Sequence, residues 1–336
     1  MPFFAIGVDL GGTNLRAAAV DDAGRLLEKV TSGTEVAKGR DHVINDMARL
    51  ILELAAKFQG RGNLAGIGVG VPGIIDMSTG MLRESPNLPG WHDYPVRDEI
   101  EHRIKAPVIL ENDANAAALG ETWLGAARDY DSMCMLTLGT GVGGGIVIAG
   151  EPWRGMTGMA GELGHITVDP NGPPCGCGNR GCLEQFASAT AVKRMALELI
   201  ESGHAPELAR AAEGNVEFSA KSVYQMAVQG DAPAKAIFNR VGWSLGIAVA
   251  DLVNIFNVPM IVVGGGVASA WEAFAPAMME EATRRSFVLR ATAPDGAQGR
   301  PTTIVTRALL GSDAGLYGAA RLPLALAAAP ARKRSA

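Results

Sequence analysis

The chain opens on an apolar, glycine, apolar rhythm. "FFAIGVDL" is an almost unbroken apolar run, "GGTN" a glycine turn and "LRAAAV" a second apolar run. This pattern predicts two strands joined by a tight turn. "DDAGR" reads as the next turn and "LLEKVTSG" as a third strand. From about Asp41 to Gln59 the period changes, and Val43, Ile44, Met47, Leu50, Ile51 and Leu54 recur at helical spacing. "LAGIGVGVPG" is then a buried strand running into a loop with Pro86, Pro89 and Trp91, and a short helix reaches His102. "APVILEND" is another strand, and "ANAAALGETWLGAA" a helix of small residues.

The pattern then restarts. "SMCMLTLG", "TGVGG" and "GIVIAG" again give strand, glycine loop, strand, a weak repeat of the opening. A cysteine-rich loop from His165 to Cys182 and several helices follow, one of them strong from about Ala234 to Phe256. "PMIVVGGGV" is a late buried strand, and "GSDAGLYGAARLPLALAA" a closing helix. Alternating strands and helices predict α/β sheets. The length of 336 residues fits two domains at roughly 150 residues each. The division is expected at 1–112 and 113–312, with a hinge near 113–130, because no stretch rich in Pro, Ser or charge separates the halves.

Composition changes this picture little and narrows the partners. Hydrophobic residues make up 48% of the chain, enough for two cores. The 43 glycines sit beside apolar runs, as tight turns and close backbone approaches require. The net charge is −5 with no broad basic stripe, which argues against nucleic acid as main partner. The ending "ARKRSA" reads as a solvated tail. No apolar run reaches the roughly 18 residues of a membrane span. "MPFFAIGVDL" has no basic region before its apolar stretch, so it reads as a strand and not a signal peptide. A cytoplasmic location with reduced cysteines is the expectation, in which clustered cysteines are metal ligands more often than disulfides.

The glycine loops carry the first candidate chemistry. No GK[ST] sequence exists, so there is no P-loop. Gly139-Thr140-Gly141-Val142-Gly143-Gly144 fits G-x-G-x-x-G, but strand and not helix follows, so a dinucleotide fingerprint is not expected. Two hairpin turns could instead offer backbone N–H groups to a triphosphate, with Thr13, Asn14 and Thr140 as further donors. Asp9 at the end of the first strand could hold Mg²⁺ or its water. Ordinary hairpin turns are the plain alternative, weakened by a third loop at Gly264-Gly265-Gly266.

Asn112 and Asp113 stand where a buried strand becomes a helix, at the edge where α/β proteins place ligands. Asp113 could be the helix N-cap. It could equally be a base that takes a hydroxyl proton during phosphoryl transfer, held ionised by the helix dipole. Asn112 would then be a neutral partner for a neighbouring hydroxyl.

"GELGHITVDPNGPPCGCGNRGCLEQFAS" is the most specific segment. His165, Cys175, Cys177 and Cys182 make a Cys₃His set, typical of structural Zn²⁺. A redox pair or free thiols are the alternatives, though one intervening residue would strain a Cys175–Cys177 disulfide. Cys134 lies in an apolar strand and reads as core. Glu162 and Glu184 flank the metal set, and could accept hydrogen bonds from sugar hydroxyls or be solvated surface residues.

Together "GVDLGGTN", "GVGVPGIID", "SPNLPGW", "LENDANAAALGE", "LGTGVGGGIV", the cysteine segment and "IVVGGGV" resemble the ROK family of sugar kinases and regulators, and within it the glucokinase branch. The resemblance runs in family order from residue 7 to about 318. It implies an actin-like ATPase (ribonuclease H-like) fold, two α/β domains around a central cleft, the first completed by a C-terminal helix at 313–330. It implies ATP with Mg²⁺ as phosphoryl donor, structural Zn²⁺, glucose as acceptor at its 6-hydroxyl, and a homodimer. Carried onto this chain, Asp113 matches the catalytic base. Gly73, Asn87, Asn112, Glu162, His165 and Glu184 match sugar-contacting positions. Asp9, Gly11, Gly12, Thr13, Thr140, Gly141, Gly265 and Gly311 match the nucleotide side. His165, Cys175, Cys177 and Cys182 match zinc ligands, so His165 would serve zinc and sugar. Other hexoses, N-acetylhexosamines, polyphosphate as donor and a sugar-responsive regulator stay open. The first strand begins by residue 3, leaving no room for the helix-turn-helix domain of the family's repressors.

Overall fold

In β1 (Phe3–Leu10) successive side chains point to opposite faces, which sends Phe4, Ile6, Val8 and Leu10 one way and Ala5 and Gly7 the other. The larger set needs a thick apolar partner; the smaller set lets a helix come close. The computed structural model describes residues 3–85, 87–292 and 301–328; Pro86, residues 329–330 of the expected closing helix and the basic tail lie outside them. β2 (Asn14–Asp21) and β3 (Leu26–Gly33) continue antiparallel. α1 (Arg40–Phe58) follows. β4 (Asn63–Val71) then returns parallel to β1. A small ribbon of β5 (Ile74–Asp76) and β6 (Met81–Glu84) leads to α2 (Val96–Ile104). β7 (Val108–Asn112) lies parallel to β4 and passes directly into α3 (Asp113–Leu124). The sheet order is β3-β2-β1-β4-β7. Val43, Met47 and Ile51 of α1 and Ile100 of α2 cover the larger set, in one core with Phe4, Ile6 and Val8.

The restart seen in the sequence reaches the topology. β8 (Met133–Leu138), β9 (Val142–Ile148) and β10 (Glu151–Pro152) come first. The helices α4 (Glu184–Ala187), α5 (Ala189–Glu201), α6 (Pro206–Ala212), α7 (Ala220–Val228) and α8 (Ala232–Phe256) follow. β11 (Met260–Gly264), α9 (Trp271–Arg285), α10 (Phe287–Thr292), β12 (Ile304–Arg307) and α11 (Ala314–Ala328) complete the described chain. The second sheet runs β10-β9-β8-β11-β12, the order of the first strand for strand. Its β8, β11 and β12 are parallel, as are β1, β4 and β7. This mixed α/β architecture of two sheets with one strand order is the one the resemblance implies.

The chain divides into two compact units, Met1–Asp131 with Gly145–Gly161 and Leu309–Ala336, and Ser132–Gly144 with Glu162–Ala308. The expected boundary at 112/113 and this grouping differ at α3, which packs along α11 inside the first unit. The small residues of both helices make that possible. A Cβ on Gly120 would overlap the Ala314 carbonyl, and one on Gly318 the Ala116 carbonyl. α11 also covers the small face of β1, where Ala5, Ala18 and Val20 meet Leu316, Ala320 and Leu324.

In the second unit α8 is a core helix packed by α9, α7, α5 and α4. It is long and apolar enough to cross a membrane by length and composition, contrary to the sequence expectation. However, 72% of its most apolar stretch is buried inside the fold.

Candidate active site

The β7–α3 junction is built around Asn112. Its backbone is extended, at φ −64° and ψ 143°, and its Oδ1 accepts the N–H groups of Ala114 at 2.9 Å and Asn115 at 3.2 Å. Asn112 is therefore the N-cap, and Asp113 stands one position inside, in the first turn. This settles one of the two readings of Asp113: it is not the cap. Its Oδ1 accepts the Ala114 N–H at 2.9 Å, and the helix dipole favours its ionised form. Asn112 Nδ2 donates to the Gly73 carbonyl at 3.1 Å, which joins this junction to the loop after β4. Gly73 has φ +110°, and a Cβ there would overlap the Glu84 carbonyl, so only glycine fits.

Directly behind Asp113 lies a buried carboxylate that sequence reasoning passed over. Glu111 is fully buried. Its Oε2 accepts from Arg154 Nε at 2.7 Å, and Arg154 also reaches it through Nη2 at 2.7 Å. Its Oε1 accepts from the Asn112 N–H at 3.0 Å and from Asn115 Nδ2 at 3.2 Å. A charged residue inside the apolar run "VILEND" was the available signal.

The first glycine turn lies in the same unit. Gly11 N–H donates to the Asn14 carbonyl at 2.9 Å, and Thr34 closes the turn through the Thr13 carbonyl at 2.9 Å and the Gly11 carbonyl at 2.6 Å. Asp9, just before it, accepts from Arg16 Nη1 at 3.1 Å. Burial pushes the Asp9 carboxyl above its ordinary pKa, and Arg16 opposes that shift. Gly12 touches the exposed Asn87: a Cβ on Gly12 would sit 2.9 Å from the Asn87 carbonyl oxygen. Gly311, at φ +57°, opens a short 3-10 turn that leads to Gly315. A Cβ on Gly315 would lie 3.1 Å from Asp9 Oδ1, so this segment borders the same turn.

The second unit gathers the remaining candidates. The β8–β9 turn closes through Gly139 N–H to the Gly141 carbonyl at 2.9 Å, and Thr190 Oγ1 donates to the Thr140 carbonyl at 2.8 Å. The G-x-G-x-x-G match does run into strand β9. Gly265, at φ +85°, packs on the backbone of Leu138 beside that turn.

His165 closes a 3-10 turn (Leu163–His165), donating its backbone N–H to the Glu162 carbonyl at 3.0 Å. All four cysteines are free thiols. The ligand atoms of His165, Cys175, Cys177 and Cys182 all lie within 4.8 Å of one another. His165 Nδ1 is 3.6 Å from Cys175 Sγ, and Cys177 Sγ is 3.7 Å from Cys182 Sγ. Tetrahedral Zn²⁺ with ordinary bond lengths separates two sulfurs by about 3.8 Å and a sulfur from a nitrogen by about 3.6 Å. The donor set therefore fits zinc in both chemistry and spacing. Burial, then the neighbouring thiols, push Cys182 up to about 12, whereas the Asn179 backbone N–H lowers Cys177. A dication on these sulfurs would hold both as thiolates.

Glu184 is half-buried, and Glu162 is the more exposed of the two. Burial raises Glu162, His165 lowers it and Glu184 raises it further, so these groups feel one another. Glu184, in the first turn of α4, accepts the Val142 N–H through Oε2 at 3.0 Å, and Cys175 Sγ lies 3.9 Å from its Oε1. The carboxylate expected at the sugar is thus also tied to the glycine turn, a link that sequence spacing did not indicate.

Comparison with known proteins bears on the whole arrangement. The ROK family pattern matches residues 5–325. The glucokinase of Thermotoga maritima is 44% identical over 267 residues, covering 80% of this chain and 83% of that one. The glucokinase of Halalkalibacterium halodurans is 40% identical over 315 residues, covering 93% and 92%. The crystal structure of a ROK family glucokinase from Streptomyces griseus, in complex with glucose and AMPPNP, superposes with a TM-score of 0.78 at 34% identity, covering 95% of this chain and 98% of that one.

Proposed function

The chain belongs to the ROK family, and from that membership we propose that it is an ATP-dependent glucokinase whose base is Asp113. It transfers the γ-phosphoryl group of ATP to the 6-hydroxyl of glucose, giving glucose 6-phosphate and ADP. The observation that carries the assignment of the base is the β7–α3 junction. There Asn112 caps the helix, and Asp113 is left in the first turn at the C-terminal edge of a parallel strand.

Phosphoryl transfer asks the protein mainly to position the reactants and neutralise charge. Asp113 accepts the proton of the sugar hydroxyl as that oxygen bonds to phosphorus. The bond from phosphorus to the β–γ bridging oxygen breaks, and that oxygen leaves with ADP. Asn112, Gly73, Asn87, Glu162, His165 and Glu184 hold the sugar. Carboxylates suit this task because each hydroxyl they accept from is one a wrong sugar can lack. The backbone N–H groups of the turns at Gly11, Gly12 and Thr13 and at Thr140 and Gly141, with Gly265 and Gly311, bind the nucleotide. Asp9 is a half-buried oxygen donor beside the first turn, which suits Mg²⁺. Bound with ATP, Mg²⁺ supplies charge neutralisation on the transferring phosphoryl group. Zn²⁺ on His165, Cys175, Cys177 and Cys182 is structural: it closes the loop from which Glu162 and Glu184 project. The protein acts in the cytoplasm as a homodimer.

Coupled ADP release with ATP over a panel of hexoses and N-acetylhexosamines tests the reading, and formation of sugar phosphate tests polyphosphate as an alternative donor. Glucose with ATP should give the highest kcat/KM, since one unmatched hydroxyl loses orders of magnitude. A higher value for another sugar reassigns the substrate, and no sugar phosphate from either donor rejects kinase activity.

A further inference from the structure

A second carboxylate on α3, which the proposed chemistry does not use, sits eight positions after Asp113. Glu121 is fully buried. Its Oε2 accepts the N–H of Ala126 at 2.7 Å and of Leu309 at 3.1 Å, and its Oε1 accepts the N–H of Leu310 at 2.7 Å. Leu309 and Leu310 are 188 and 189 residues further along the chain, and they directly precede Gly311. Both oxygens act as acceptors from backbone donors. A glutamine there would turn an NH₂ group toward one of them and leave a buried N–H unmatched.

The segment that Glu121 holds leads to the first glycine turn. Gly311 has φ +57° and opens the 3-10 turn Gly311–Asp313. Asp313 pairs with Lys29 of β3 at 2.8 Å. Two residues later Gly315 packs on the Asp9 carboxylate. One stretch of backbone, 309–315, thus runs from a buried anchor on α3 to the carboxylate beside the turn.

We infer that Glu121 is a positioning residue for the nucleotide: through the Leu309 and Leu310 amides it fixes the 309–311 backbone that borders bound ATP. This rests on the glucokinase reading for the identity of the nucleotide, and goes beyond it in naming what holds the seat. α3 then serves two reactants, carrying the base in its first turn and anchoring the nucleotide segment from its third.

The test is E121Q, which keeps the size of the side chain and removes one acceptor. In the folded variant KM for ATP should rise about tenfold, and ADP binding measured by calorimetry should weaken by the same factor. KM for glucose should stay within about twofold, because no sugar-contacting residue lies on the held segment. A general packing role would lower the melting temperature and move both KM values together, and that result, or an unchanged KM for ATP, overturns the inference. Should E121Q not fold, hydrogen exchange on the unmodified protein decides. ADP should slow exchange in a peptide spanning 305–314, and glucose alone should not. Equal exchange with and without ADP overturns the inference. Absence of glucose-dependent ADP release by the unmodified protein would instead remove the glucokinase reading.

Discussion

Asp113 and its neighbours show how one residue acquires a role from what surrounds it. An aspartate at a strand-to-helix junction is as good a cap as a base, and Asn112 takes the cap. Asp113→Asn should lower kcat by about 10²- to 10⁴-fold with KM for glucose little changed, the range expected for losing a general base. Coupled ADP release beside an unchanged circular dichroism spectrum checks it. Behind it, Arg154→Met would strand a fully buried Glu111 carboxylate. That should cost about 3 kcal/mol in urea unfolding, with partial recovery when Glu111→Gln is added, because a buried charge without its partner is worse than neither. Cys134 is the contrasting case, a buried thiol pushed up to about 12 by burial alone. It should resist iodoacetamide at pH 8 in the native protein, since only the thiolate reacts. Peptide mass spectrometry reads this directly, and rapid labelling would contradict its place in the core.

Among elements, α3 and α11 matter most. Their small residues look uninformative as a sequence, because an alanine-rich helix states no preference for a partner. The structure supplies the reason: Gly120 and Gly318 let two backbones cross where any side chain would collide with a carbonyl. Gly318→Ala should therefore destabilise the protein by about 2 kcal/mol or more in urea unfolding, an overpacking effect and not a matter of helix propensity. Propensity alone gives the opposite sign, since alanine is the better helix former by about 1 kcal/mol. The strands were more legible. β1, β4 and β11 announce themselves by apolar runs ended by turn residues, whereas the short β5, β10 and β12 carry too few residues for a period.

For the whole molecule, the repeat is the organising fact. Two sheets with one strand order each place a glycine turn after their first strand, and each unit adds its own feature: capped α3 in the first, the Cys₃His loop in the second. Because all four ligands belong to one unit, chelation should act there first. Removing zinc should lower the melting temperature by about 5 °C or more, and Cys182→Ser should reproduce the effect. Metal analysis of the purified protein gives the expected single zinc per chain; a chain without metal and a melting point indifferent to chelator would refute a structural zinc.

What the sequence determined by itself is what local spacing can encode. Strand alternation, the glycine turns, the junction at Asn112 and Asp113, and the Cys₃His set all lie within short stretches, and the ligands span only 165–182. What only the tertiary structure decided are pairings between distant residues. Arg154 meets Glu111 across 43 positions, Glu184 meets the Val142 N–H across 42, and Glu121 meets Leu310 across 189. No periodicity reports such partners, because topology and not spacing brings them together. A buried carboxylate is stable only where that topology delivers donors to it, so the fully buried Glu111 and Glu121 became interpretable only once the fold had placed their neighbours.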